Sequence, residues 1–429
     1  MFLKSFITCL AVITIPIAVL SQKDTLPAPN ATKSSANFSK VIGWPEGKMP
    51  VAPKGFVVSQ YATGFQNPRW MYVTPNGDVL VAESNSNYNL LEKAGAIIKG
   101  ANRSDDLSHS ADKITLLRDT NKDGIPDTKE TLLTADNGLN QPFGMLIIGN
   151  WLYVANTDAV LRFPYKKGQT KISEKGQKLV DLPGGKGFRA NRHWTRNIIA
   201  NANNTKIYIA VGSSSNVAEN GIDKERLRAD ILEMNPDGTG LRIYASGLRN
   251  PVGMAWAPGS STLYAAVNER DELGDDLVPD YLTGVKQGGF YGWPYSYYGA
   301  HVDDRVKEQR PDLVKKAIVP DVDLGSHTAS LGLAFYTKKT FPAQYQGAAF
   351  IAQHGSWNRS VLAGYRVVYV PFKNGKPAGR PQEFLTGFVA DLAADKVYGR
   401  PVGIVVLPDG SLLVTDDVSN VVWRVAVAK

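Results

Sequence analysis

Arg69, Arg249 with Asn250, and Arg400 each stand at the head of a short apolar run, and Arg192 with His193 heads another. Gln141 holds the same place in a fifth run, and Ser330, just after His327, in a sixth. A guanidinium presents a planar fork of donors that matches a carboxylate, so several arginines meeting at one point suit a flat polyanionic ligand. An imidazole titrates near neutral pH, which is what a general base requires, and His193 is the histidine that shares the arginines' position. His109 and His301 lie in polar loops and read as solvent-facing, while His327 and His354 fall near repeat ends and are candidates for the same site. A polar residue at one strand start means little. Six in matching places describe a ring, provided the six runs converge.

The elements that must make them converge repeat along the chain. The runs DVLVAE, WLYVAN, KIYIAV, TLYAAV, AAFIAQ and SLLVTD begin 73, 55, 56, 86 and 63 residues apart. Each follows a partner run: PRWMYVTPNG, QPFGMLIIGN, RHWTRNIIANANN, RNPVGMAWAPGSS, SLGLAFYTKK or RPVGIVVLPDG. Two short β-rich runs joined by a turn make an antiparallel hairpin. Six similar hairpins predict an all-β, six-bladed β-propeller, whose equivalent strand ends face one central axis. A solenoid would show a tighter period, and a sandwich does not need six like hairpins. The second runs end in Glu83, Asn156, Asn268 with Glu269, Gln353 with His354, and Asp416, which would join the ring. One short helical pattern, 221–232, competes.

Two further features carry chemistry. DTNKDGIPDTKE, from Asp119 to Glu130, fits the calcium-loop pattern, with Asp119, Asn121, Asp123, the Ile125 carbonyl, Asp127 and Glu130 as oxygen ligands. Its strand-like flanks and Pro126 are foreign to an EF-hand, and the bland alternative is an Asp-Gly hairpin turn. Aromatic residues cluster in FYGWPYSYY around Trp293 and in HGSWNR around Trp357, where a ring could stack on a flat cofactor or a sugar, or pack between blades.

The motifs HWTRN (193–197), GLRNP (247–251), NERDELGDD (268–276), YGWPYSYYG (291–299) and HGSWNR (354–359) together resemble the sorbosone dehydrogenase branch of the soluble pyrroloquinoline quinone sugar dehydrogenases. The resemblance runs from about Val51 to Val425. It implies a propeller that binds pyrroloquinoline quinone and calcium at one mouth. It implies oxidation of a sugar at its hemiacetal or aldehyde carbon, with electrons passing on to a separate cytochrome- or quinone-type acceptor. By that resemblance His193 is the base, and Arg249, Asn250 and Arg400 hold the cofactor. Arg69, Gln141, Trp293, His354 and Trp357 are its further neighbours, and Glu269 and Asp271 are candidate calcium ligands. The glucose dehydrogenase branch has E-H-G-P where this chain has Glu269-Arg270-Asp271-Glu272. A calcium-dependent lactonase-type hydrolase and a carbohydrate-binding propeller are the alternatives. The lactonase has no use for three converging arginines.

Composition agrees with this organisation. Forty Gly and 25 Pro suit a turn-rich β chain. The net charge of +8 is dispersed, with no basic run, so a nucleic-acid partner is not expected. Residues 1–21 carry Lys4 and an apolar stretch of signal-peptide length, which predicts export to the periplasm or medium and no integral span once removed. Cys9, the one cysteine, lies within it, so the mature chain has no disulfide. Residues 22–45, rich in Ser, Ala, Pro and Thr, read as a flexible tether, and 46–429 as one catalytic propeller.

Overall fold

The six hairpins read from the repeats are the inner halves of six four-stranded antiparallel sheets. The computed structural model describes residues 26–104, 107–184 and 191–428, so the expected signal segment lies outside the described residues. The innermost strands are Pro68–Val73, Met145–Ile148, Arg196–Ala200, Asn250–Trp256, Ser330–Phe335 and Pro401–Val406. Each packs against the innermost strand of the next sheet, and the last against the first, which closes the ring of a six-bladed β-propeller. The second strands, such as Ile207–Val211 and Ala349–Gln353, are buried along their whole length. Both faces pack against other blades, which is why these runs are apolar without alternation. The core lies between blades: Tyr153 and Val160 of the second sheet pack with Ile198, Ile209 and Leu232 of the third.

Closing the ring brings backbones together. A Cβ on Gly253 would stand 2.5 Å from the Leu331 carbonyl oxygen of the next inner strand, and one on Gly332 would stand 2.3 Å from that of Val402. Both glycines fall in register shifts, between Pro251 and Met254 and between Ser330 and Leu333. A bulge without a side chain lets adjacent strands meet at the axis. The sixth sheet takes its outer strand, Phe56–Thr63, from the start of the chain and pairs it with Val421–Val427, so the two ends of the domain hold each other.

Two expectations are corrected. The helical pattern at 221–232 is a 3-10 turn, Ile222–Glu225, followed by the strand Asp230–Met234, because Ile231 and Leu232 are fully buried by pairing within the third sheet. The α-helices among the described residues are elsewhere, at Leu90–Ile98, started by a capping box between Asn89 and Glu92, and at Pro311–Val314. Residues 26–45 are also not a free tether. Asn30 donates to the Leu273 carbonyl (2.7 Å) and Asn37 to that of Trp357 (2.7 Å). Lys40 and Val41 pair with Lys396 and Val397. The Trp44 indole donates to Asp416 at 2.7 Å. The segment lacks apolar residues for a core of its own, but its polar groups find partners on the mouth loops. Among the described residues no helix is long and apolar enough to cross a membrane.

Two stability measurements check this account. Gly332→Ala should lose about 1–3 kcal/mol of unfolding free energy by overpacking the ring, whereas Gly95→Ala, with nothing within 4 Å of its added Cβ, should be neutral or better in denaturant titration. Asp416 accepts from Trp44 and Trp423 on one oxygen and from the Arg400 and Ser419 amides on the other. Asp416→Asn must turn its NH₂ toward two donors either way, so it should cost about 1–3 kcal/mol, more than Trp44→Phe.

Candidate active site

Strand register fixes where the ring residues meet. Asn250 lies opposite Asn268, Ser330 opposite Gln353, Pro401 opposite Asp416, and Pro68 opposite Glu83. Inner-strand starts and second-strand ends therefore share one mouth of the propeller. Two adjoining cavities open there. The inner one, 190 Å³, has Arg69, His354, Arg400 and Asp417 on its walls. The outer one, 1030 Å³, is bounded by Gln141, Arg192, Trp194 and Glu272 among others. Ser86, Tyr88 and Trp357 border both.

Two arginines stand at the inner end. Arg69 pairs with Asp417, whose carboxylate also takes a hydrogen bond from His354 Nε2 at 2.9 Å. Arg400 donates to the carbonyls of His354 (3.1 Å), Gly355 (3.2 Å) and Ser104 (3.4 Å). Burial and the nearby Arg400 charge push the His354 imidazole down to about 4, so it is neutral and donates Nε2–H. Burial opposes ionisation of Asp417, but His354 and Arg69 outweigh it and hold the carboxyl well below its ordinary range. Arg69 and His354 thus share the Asp417 carboxylate. Arg69 Nε is buried with no hydrogen-bond partner, as is Asn67 Oδ1 on the same cavity. The unpartnered Arg69 N–H suits an acceptor atom of a ligand, such as a carboxylate oxygen, and the Asn67 carbonyl oxygen suits a donor.

His193 stands on the rim of the outer cavity, half-buried, between Arg192 and Trp194, which line it. Its Nδ1 is 2.9 Å from the Ser213 carbonyl and 3.0 Å from Ser213 Oγ. A carbonyl only accepts, so Nδ1 carries the proton and Nε2 presents a lone pair, with no partner among the described residues. Burial first, and the Arg249 charge second, hold the imidazole well below its ordinary pKa. Arg196, fully buried, donates to the His193 carbonyl at 2.6 Å and fixes its backbone. Gly212 lies against His193 and Asn250: a Cβ there would stand 2.5 Å from His193 Cβ and 2.3 Å from Asn250 Oδ1. Asn250 Oδ1 is itself buried and unpartnered.

Other expected residues do different work. Arg249 donates to the Glu269 carbonyl, to Asn216 Oδ1 (2.8 Å) and to Asp271 Oδ2 (3.0 Å), so its donors hold protein loops together rather than face a cavity. Asp271 also meets His327 Nδ1 at 3.4 Å, while His327 Nε2 faces the Gly274 carbonyl at 2.9 Å. With an acceptor at each ring nitrogen His327 is protonated: burial works against the charge, and Asp271 outweighs it, raising the imidazole's pKa. Glu269 is turned to the fully buried Arg270 at 2.9 Å, which also pairs with Asp303. The carbonyl of Asp271 is capped by Asn216 Nδ2 (3.0 Å) and Arg305 (2.9 Å). Arg270 thus engages Glu269 Oε2, and Arg249 with His327 engages the Asp271 carboxylate, while Glu269 Oε1 is buried with no hydrogen-bond partner and stays open to a cation. Trp293, 3% exposed, donates to the Asn216 carbonyl from beneath this cluster and lines neither cavity. Gln141 reaches the outer cavity with its amide tied to the Asn85 carbonyl at 2.7 Å.

The Asp119–Glu130 loop is the hairpin turn between Lys113–Arg118 and Thr128–Leu133. Asp119 accepts from the Gly124 amide (2.8 Å), Asn121 from that of Asp123 (3.0 Å), Asp123 from that of Ile125 (2.8 Å), and Asp127 from that of Thr120 (3.0 Å). Glu130 stands apart on the following strand. Among the described residues no group of three or more His, Cys, Asp and Glu is placed to hold a metal ion. The Asp and Asn side chains accept the turn's own amides, while Asp119 Oδ1 is buried without a hydrogen-bond partner.

Asn216, Ser213 and Asp417 are central here and were missed. Their partners lie far along the chain, and only the propeller brings them together.

Comparison with known proteins places this arrangement. The family model described as "Domain of unknown function (DUF7133)" matches residues 48–424. An uncharacterized protein of Borreliella burgdorferi is 31% identical over 310 residues, 70% of this chain and 79% of that protein. Aldose sugar dehydrogenase YliI of Escherichia coli is 28% identical over 159 residues, 34% of this chain and 41% of its own length. The holo pyranose dehydrogenase PQQ domain of Coprinopsis cinerea has the same fold, with a TM-score of 0.68 at 20% identity, over 91% of this chain and all of that one. The chain belongs to the DUF7133 family.

Proposed function

We propose that this protein is a sugar oxidoreductase of the sorbosone dehydrogenase type, using pyrroloquinoline quinone as its redox group. The observation that carries the proposal is the pairing of a tautomer-fixed, neutral His193 on the rim with an inner cavity whose walls hold Arg69 and Arg400. The aldose sugar dehydrogenase of E. coli and the pyranose dehydrogenase PQQ domain of C. cinerea support the same reading by name. When bound, the quinone supplies the acceptor for a hydride leaving the sugar carbon. Arg69 and Arg400 would hold its carboxylates, with Asn250 and Trp357 beside it. His193 Nε2 takes the proton of the sugar hydroxyl as the carbon loses hydride, so the hemiacetal becomes a lactone or the hydrated aldehyde an acid. Ser213 keeps the ring from turning, so the Nε2 lone pair stays presented to the cavity. No step runs through calcium; Glu269 Oε1, buried without a hydrogen-bond partner, is the oxygen of the 269–272 loop that would face such a cation. The chain would act after export, passing electrons to a separate acceptor.

The direct test is to add pyrroloquinoline quinone to the purified protein, record its visible spectrum, and then add aldoses. His193→Ala should keep quinone affinity and lose about 10²–10⁴ in the rate of quinone reduction by sugar. A stopped-flow rate within about threefold of wild type, against that scale, would transfer the role to His354. Because the His193 pKa is depressed, the base is free above that lowered value. The reduction rate should therefore stay flat from neutral pH down through the ordinary imidazole range and fall only in more acid solution. Arg69→Gln and Arg400→Gln should each weaken quinone binding by about 1.5–3 kcal/mol, read by titration of its absorbance. Unchanged affinity in both would remove the inner cavity as the anion site.

A further inference from the structure

The 26–45 segment is more than a covering, because it builds part of the site. Its residues Ser34, Ala36 and Phe38 all line the outer cavity. An extended chain points alternate side chains the same way, so these three share one face. The groups between them anchor the segment: the Ser35 carbonyl accepts from Asn358 (3.3 Å), and the Asn37 side chain donates to the Ser360 carbonyl (3.0 Å) and to Asp395 (2.9 Å). Thr32 and Ser34 accept from the Asp275 and Gly274 amides, both at 2.8 Å. Phe38 is held flat against Trp357, ring centroids 5.6 Å apart and planes at 17°. Trp357 is nonetheless 38% exposed, and it borders both cavities.

Two cavities of unequal size therefore meet at one aromatic stack. The outer volume, 1030 Å³, is at the top of the range for small-molecule pockets, about 300–1,000 Å³. A single sugar ring reacting beside His193 leaves much of it unfilled. Its walls pair an apolar aromatic surface with polar groups, Asn87, Arg192, Glu272 and Asn358 among them. That combination suits a pyranose: its C–H face lies on an aromatic ring and its hydroxyls hydrogen-bond around the edge.

We infer that Phe38 and Trp357 form a subsite for a second sugar ring joined to the one that reacts, so that the chain selects reducing disaccharides over monosaccharides. The inference rests on the sugar oxidoreductase reading, but binding can be measured apart from turnover. The experiment is calorimetric titration of the purified protein with cellobiose and with glucose, for wild type, Phe38→Ala, Phe38→Tyr and Trp357→Ala. Wild type should bind cellobiose at least about tenfold more tightly than glucose, a difference of about 1.4 kcal/mol. Phe38→Ala should remove most of that preference while leaving glucose affinity within about twofold, Phe38→Tyr should keep it, and Trp357→Ala should also remove the preference. Melting curves identify any variant that has lost its fold, and Phe38→Tyr against Phe38→Ala then decides within one fold. Equal affinity of wild type for the two sugars, or an unchanged preference in both alanine variants, overturns the subsite. If the preference is present but quinone-loaded wild type oxidises neither sugar, the subsite stands and the oxidoreductase reading falls.

Discussion

Every feature of the mouth depends on how closely six inner strands approach one axis. Gly253 and Gly332 lie against the carbonyls of the neighbouring strands at distances no Cβ tolerates, and both sit at bulges. Gly144, against the Ile198 amide, and Gly403, against the Arg69 carbonyl, repeat the arrangement in two more blades. The residues just before these glycines, such as Asn250 and Ser330, are thereby driven toward each other from different blades. Side chains separated by more than a hundred positions in sequence, such as Arg69 and Asp417, come within contact because the backbone leaves them nowhere else to go.

Bringing like charges to one axis creates a second constraint. Arginines buried without counter-charges would be very unfavourable, and the chain answers each differently. Arg270 has Glu269 and Asp303, Arg249 has Asp271, and Arg69 has Asp417. Arg400 is surrounded by carbonyls. On the side of the 269–276 loop, carboxylates and carbonyls tie the arginines into one network, and at the inner cavity Arg69 shares Asp417 with His354. The depressed pKa of His193 belongs to the same pattern, since Arg249 beside it disfavours a further cation.

The architecture was legible because its signal is repetition. All six second strands fall where the apolar runs stand, and the ring residues do gather at one mouth. What a side chain does there was not legible, because residue type does not name its partner. Arg249 and Arg400 look alike in sequence, yet one is engaged by Asp271 and the other lines a cavity. The acidic run 269–276 suggested cation ligands, but Arg270, in the middle of that run, already engages Glu269 Oε2. Trp293 and Trp357 sit in similar aromatic loops, and burial alone separates them, at 3% and 38% exposed.

The strap at 26–45 shows most clearly why composition misleads. A polar, Pro- and Ser-rich segment cannot bury enough apolar surface to fold by itself, and that reasoning holds for the segment in isolation. The argument fails when a folded surface supplies partners for the segment's backbone and short polar side chains. The loops 273–275 and 357–360 present unpaired amides and carbonyls at the mouth, and Thr32, Ser34 and Asn37 satisfy them. Phe38 and Trp44 then add two aromatic anchors, one on Trp357 and one among Phe388, Tyr398 and Trp423. Those anchors are spaced so that Phe38 faces the cavity while Trp44 reaches the carboxylate of Asp416 beneath the closing sheet. The strap thus couples the closure of the propeller to the shape of its mouth.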